Sequence, residues 1–180
     1  MNYILIMTEG SDELAFINVL LDKGILKFKR EELLMEDIYH ARQITGELIG
    51  YIQLLQNGDV VSIYRVGDKL SDKLTIPKNI ITDKIVAKYD ISTTPEFEVL
   101  FLLNEGIYEE YLKVKSSIKP SEFYKIKNKK YKKQSKFVTD YFQKLSDGQI
   151  IELIDLYVSK HGKAHKENQL TLKEIIRDKA

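Results

Sequence analysis

The stretch Tyr3-Ile-Leu-Ile-Met-Thr-Glu-Gly-Ser-Asp-Glu13 decides the fold. Its first five residues are a short, continuous apolar run closed by a glycine-containing turn. That pattern reads as a buried strand, because a strand covered on both faces needs apolar residues at every position. Behind Thr8-Glu9-Gly10-Ser11, the residues Leu14, Ile17, Val19, Leu20 and Leu21 form one broad apolar face and predict a helix over Asp12–Lys23. Ser11 is the expected cap, Asp12 and Glu13 suit the positive end of the helix, and Gly24 suits its end. Strand, turn and helix in this order open an α/β fold.

Outward from that unit, Leu33-Leu34-Met35 and Ile38-Tyr39 give a weaker strand signal, and apolar spacing predicts a helix over Ala41–Leu55. Asn57-Gly58-Asp59 is a turn, and Val60–Val66 is a second strong strand rich in β-branched residues. Ile85–Tyr89 reads as a further strand. Pro95 is placed in the first turn of a helix over Pro95–Leu103, where its missing N–H is no loss. Alternating strands and helices predict a mainly parallel sheet flanked by helices over residues 1–112. After residue 112 the strand signal stops. Pro120 opens a helix or turn, and Phe137–Leu145, Gln149–Ser159 and Leu170–Arg177 read as helical. Residues 113–180 are therefore expected to form a basic helical C-terminal region packed on the α/β domain.

Composition narrows the function classes. At 43% apolar and 31% charged residues the chain has the makeup of a folded globular domain rather than a disordered one. No apolar run approaches the roughly 20 residues of a membrane span, and no basic leader precedes the first strand, so a cytoplasmic location is expected. With no cysteine, disulfides, thiolate-zinc sites and thiol nucleophiles are excluded. The net charge of +1 hides an asymmetry. Residues 1–112 hold 11 Lys/Arg against 19 Asp/Glu, and residues 113–180 hold 17 against 8. An acidic site beside a basic surface suits metal ions in one place and a polyanion in the other; unevenly solvated faces are the plain alternative.

Ligands of open α/β sheets bind beyond the carboxyl ends of the strands. Glu9 follows the first strand there, and Asp68 with Asp72 follows Val60–Val66. If both strands are central and parallel, these carboxylates converge, and convergent oxygens are what Mg²⁺ or Mn²⁺ requires. Such an ion neutralises phosphate charge and activates water in phosphodiester chemistry.

The segment Ile4–Glu13 resembles the opening motif of Toprim domains, in which a hydrophobic strand leads through Glu-Gly into a helix carrying an acid. These domains occur in topoisomerases, bacterial primases, OLD-family nucleases and the RloB-like proteins of bacterial defence systems. The resemblance implies that Glu9 is a general acid/base or metal ligand, and that Asp68 is one member of the Asp-x-Asp pair that holds Mg²⁺. The pair is incomplete here, because Val66 stands where its other aspartate would be; Asp72 is the candidate substitute. The segment Asp90–Leu103 is similar to the Pro-x-Phe-Glu helix of RloB-like proteins, which makes Glu98 a further site candidate, whereas Glu96 has no clear counterpart. The activity implied by the resemblance is divalent-metal-dependent hydrolysis of nucleic-acid phosphodiesters. Glu9 and Asp68 would be catalytic, and Glu9, Asp68, Asp72 and Glu98 would hold the metal, in a bacterial defence system or mobile element. The missing aspartate keeps a catalytically inactive binding or regulatory module as the alternative. A nucleotide- or small-molecule-binding α/β protein is a third reading.

Between Lys125 and Lys136 stand seven lysines and no acid. Lys125, Lys127, Lys129, Lys130, Lys132 and Lys133 are expected to hold a nucleic-acid backbone through salt-sensitive contacts, with Tyr124 and Tyr131 stacking on bases. The bland alternative is a solvated loop. His40, His161 and His165 show no tight ligand pattern, and a protein partner or homo-oligomer is left open.

Overall fold

A computed structural model describes residues 1–68, 73–77, 82–160 and 169–178. The apolar run of the opening stretch becomes β1 (Asn2–Thr8), in which Leu5, Ile6 and Met7 are fully buried. It lies between β2 (Leu33–His40) and β3 (Val60–Gly67), and the sheet continues through β4 (Ile85–Ser92) to β5 (Gln169–Thr171). The order is β2-β1-β3-β4-β5 and every neighbouring pair is parallel, as the alternation of strands and helices predicts.

The helices are α1 (Ser11–Asp22), α2 (Gly46–Leu54), α3 (Val99–Asn104), α4 (Tyr108–Leu112), α5 (Pro120–Lys127), α6 (Ser135–Gln143) and α7 (Asp147–Ser159). Period-two alternation along the strands sorts the core into two clusters. On one face Ile4, Ile6, Val66 and Ile91 pack with Phe16 and Leu20 of α1, Phe101 of α3, Phe142 of α6 and Ile154 of α7. On the other, Leu5, Met7, Val61 and Ile63 pack under Leu48 and Ile52 of α2. The first cluster runs without a break across residue 112, so the C-terminal helices complete the core that α1 begins. Phe101 is its hub, 0% exposed and ringed by Tyr124, Tyr131, Phe137, Tyr141 and Phe142.

Several details differ from the sequence reading, among them the helix expected over Ala41–Leu55, which begins only at Gly46. Ser11 is the first helical residue rather than the cap; Gly10 holds the cap position, and no side chain caps α1. The helix expected at Pro95 starts at Val99. Residues 96–101 wind through three i→i+3 hydrogen bonds first, so Glu98 immediately precedes α3. The helix expected over Leu170–Arg177 is instead β5, followed by a 3₁₀ turn at Leu172–Ile175. Thr171 and Glu174 form the capping box of that turn. Finally, β2 reads as two fragments because it is bulged. Ile4 pairs with Leu33 but Ile6 pairs with Ile38, and Met35 and Glu36 both take left-handed backbone angles, φ 53° and 57°.

Near the carboxyl ends of β3 and β4 a buried charge ties the two strands together. Arg65 is 1% exposed and donates from Nε to Asp90 Oδ1 at 2.9 Å. A buried guanidinium requires such a partner. Among the described residues no helix is long and apolar enough to cross a membrane.

Candidate functional site

In a parallel sheet whose strand order runs 2-1-3-4-5, the connections leave β1 and β3 in opposite directions and open a crevice between their carboxyl ends. Glu9 is the residue after β1 and Asp68 the residue after β3, so both stand at this switch point. The backbone N–H of Glu9 donates to Val66 O at 2.8 Å, which carries the β1–β3 ladder to the rim. Glu98 arrives from β4 by way of Thr93–Phe97. All three line one cleft of about 570 Å³ together with Asp12, Glu13, Glu96 and Glu122. Seven carboxylates there face three cationic side chains, Arg42, Lys119 and Lys133. Glu9, Asp68 and Glu98 thus line one cleft, though among the described residues no three acids stand close enough to share one ion. Asp72 lies outside the described residues, as do His161 and His165.

Each carboxylate has a distinct environment. Glu9 sits 3.2 Å from Arg42 Nε, and its carbonyl oxygen is 3.1 Å from His40 Nε2 at the end of β2. Glu13 is 9% exposed, receives a long hydrogen bond from Thr93 Oγ1 at 3.4 Å, and lies against Gly10. A Cβ built on Gly10 would stand 2.2 Å from Glu13 Oε2, the far end of a flexible side chain, so a larger residue there would displace that carboxylate; the Gly10 backbone itself is extended at φ −113°. Burial pushes the Glu13 carboxyl above the usual carboxylate range, and the negative charges of Asp68, Asp12 and Glu98 push it further. Asp12 is raised in the same way, by burial and then by Glu98. Behind the cleft, Tyr157 is held well above the usual tyrosine range by burial and then by Glu13, Glu98 and Asp68. These groups therefore share one electrostatic neighbourhood.

Glu98 is 4% exposed. Lys133 Nζ stands 2.9 Å from its Oε1, so the buried carboxylate is held in an ion pair by a lysine rooted at the surface. Contact with the Glu98 carboxylate, opposed by burial, lifts the Lys133 ammonium above its usual pKa.

The donor set is all oxygen, which suits Mg²⁺ or Mn²⁺ and suits neither zinc nor a thiophilic metal. Among the described residues no three His, Asp or Glu side chains stand close enough to form a ready ligand group. Mg²⁺ typically binds through one or two carboxylates and keeps several waters, a mode that asks less of an open carboxylate cleft than a closed ligand cage would.

A second groove of about 550 Å³ adjoins the cleft and shares Ser121, Glu122 and Lys133 with it. Lys125, Lys129 and Lys132 line the rest of it with Tyr131 and Gln134. Lys127 is tied to Glu110 at 2.5 Å. Lys125, Lys129, Lys130 and Lys132 are exposed and form no ion pair among the described residues. The aromatic expectation is corrected. Tyr124 and Tyr131 are 0% and 4% exposed, their rings packed against Phe101, each other and Phe137, so neither face is open to a base.

Sequence reasoning gave Asp12 and Glu13 to the helix terminus and missed their burial. The signal was present: Glu13 shares a stripe with Phe16, Ile17 and Leu20, which places it on the core face. Nothing in the sequence pointed to Lys133 as the partner of Glu98. Comparison with protein-family models, with curated proteins and with solved structures finds no match to this chain.

Proposed function

We propose that this chain is a Toprim-like, divalent-metal-dependent protein that hydrolyses nucleic-acid phosphodiesters, in a cytoplasmic setting such as bacterial defence or a mobile element. The observation that supports this most is the meeting of Glu9, Asp68 and Glu98 in one cleft at the switch point of a parallel sheet. Glu9, Asp68 and Glu98, with Glu13 beside them, would hold Mg²⁺ or Mn²⁺. The ion would neutralise phosphate charge and lower the pKa of water. Glu9 would accept a proton at its carboxylate, which Arg42 pairs with at 3.2 Å. The lysines of the adjoining groove would hold the backbone. Lysine ammonium groups contribute affinity without base specificity.

The second reading is a Toprim-like module that binds nucleic acid without cleaving it. Val66 in place of an aspartate, and the lack of a ready ligand group among the described residues, favour it. A cleavage and binding assay on labelled DNA and RNA, with Mg²⁺ or Mn²⁺ and with chelator, separates the two. Metal-dependent cleavage by wild type that is lost in Glu9→Ala and Asp68→Ala supports the nuclease. Steeply salt-dependent binding without cleavage supports the module. Neither binding nor cleavage refutes both.

A further inference from the structure

The lysines do not end at the groove described above. From Lys113 to Lys136 the chain holds ten lysines against one acid, Glu122. Lys115 and Lys119 precede α5 and line a third cleft, of about 360 Å³, with Ser116 and Ser117. All four residues are exposed, and neither lysine forms an ion pair among the described residues. This cleft shares Glu96, Lys119 and Glu122 with the acidic cleft, which in turn shares Ser121, Glu122 and Lys133 with the lysine groove. The lysine groove and the third cleft have only Glu122 in common, on the first turn of α5. The open route between the two sets of lysines therefore crosses the mouth of the acidic cleft and turns about the start of that helix.

Carboxylates along this route repel phosphate, and the lysines at both rims attract it. A helix is about 10 Å across. A duplex, stiff over about 150 base pairs, does not follow so tight a turn, whereas a single strand does. We propose that Lys115 and Lys119 are a second backbone contact for a single-stranded nucleic acid, which runs from the lysine groove across the acidic cleft to the third cleft. The strand is then held on both sides of the carboxylates. The inference rests on the reading of the lysine groove as a polyanion site, and it needs no ion in the acidic cleft.

Fluorescein-labelled oligothymidines of increasing length are the probes, read by fluorescence anisotropy in chelator so that the strands stay whole. Wild-type affinity should rise with length until the strand spans both sets of lysines. Lys115→Gln with Lys119→Gln should leave the shortest strands unaffected. For long strands it should flatten the logarithmic salt dependence by about 1.4, since each contact adds about 0.7. Lys27→Gln with Lys29→Gln removes the same charge from the exposed connection before β2, at the amino-terminal end of the sheet, and should change nothing. A duplex of equal length should bind more weakly than the single strand and be indifferent to Lys115 and Lys119. An equal loss at every length, or the same loss in the Lys27 and Lys29 variant, would reduce the effect to bulk charge and overturn the path. A duplex as sensitive to Lys115 and Lys119 as the single strand would overturn the substrate class. If long strands keep their full salt slope without Lys115 and Lys119, while Lys125→Gln, Lys129→Gln and Lys132→Gln together weaken binding, the second contact is wrong and the groove stands. If the wild type binds no oligothymidine, the groove reading and the second contact fall together.

Discussion

Replacing Gly10 by alanine should disturb the site far more than the fold. The added Cβ would stand 2.2 Å from Glu13 Oε2, against an ordinary contact of 3.4 Å or more, so the carboxylate must move by over 1 Å. The group that moves is the far end of a flexible side chain, and an off-rotamer shift costs about 0.5–1.5 kcal/mol. Gly10 also holds the cap position of α1, where alanine is the poorer residue by about 1 kcal/mol. Against this, its extended backbone at φ −113°, ψ 156° suits alanine, and the loss of unfolded-state freedom returns about 0.4–1 kcal/mol. The net destabilisation is about 1 kcal/mol, or roughly 2–4 °C in Tm for a chain of this size. Cation affinity should fall about 10- to 100-fold, the usual effect of disturbing the groups that orient metal ligands. Thermal unfolding and calorimetric titration with Mn²⁺ measure the two effects separately. A loss of several kcal/mol, or unchanged Mn²⁺ affinity in a folded Gly10→Ala protein, would refute the reasoning.

The same geometry sets three further outcomes. The Glu13 carboxyl is raised by burial and by Asp68, Asp12 and Glu98. A carboxyl raised on folding binds more protons in the native state, so the stability it contributes is full below its unfolded pKa of about 4.3 and is lost as pH climbs through the raised value. Glu13→Gln should therefore raise Tm relative to wild type at neutral pH and give no gain below about pH 4; an equal gain at both pH values would contradict the assignment. The Tyr157 hydroxyl donates to Pro95 O at 2.5 Å and anchors the connection that delivers Glu98. Leaving that carbonyl unsatisfied in Tyr157→Phe should cost about 1–3 kcal/mol, measurable by urea denaturation; no loss would mean that water or another donor replaces the hydroxyl. Changing Lys125, Lys129, Lys130 and Lys132 together to Gln should flatten the logarithmic salt dependence of single-strand binding by about 3, since each phosphate contact adds about 0.7. An unchanged slope in anisotropy titrations would place the backbone elsewhere.

The opening stretch alone settled most of the α/β fold, because an all-apolar strand followed by a glycine turn and an amphipathic helix has few places to go other than the centre of a parallel sheet. It also put Glu9 at a strand end. Local pattern could not reveal β5. Three residues, Gln169–Thr171, are too few to show a period of two, and their pairing with Asp90–Ser92 joins positions nearly 80 residues apart. The same limit hid the burial of Tyr124 and Tyr131. Their polar, lysine-rich surroundings in sequence read as surface, whereas the aromatic hub around Phe101 draws both rings inward. Which acids meet was likewise a question of tertiary structure. Strand order set Glu9 beside Asp68, the loop after β4 delivered Glu98, and the return of the C-terminal chain over α3 brought Lys133 to it. Sequence by itself determines local periodicity and charge inventory; distance between charges far apart along the chain depends on which strands become neighbours, and that is decided by how the whole core packs.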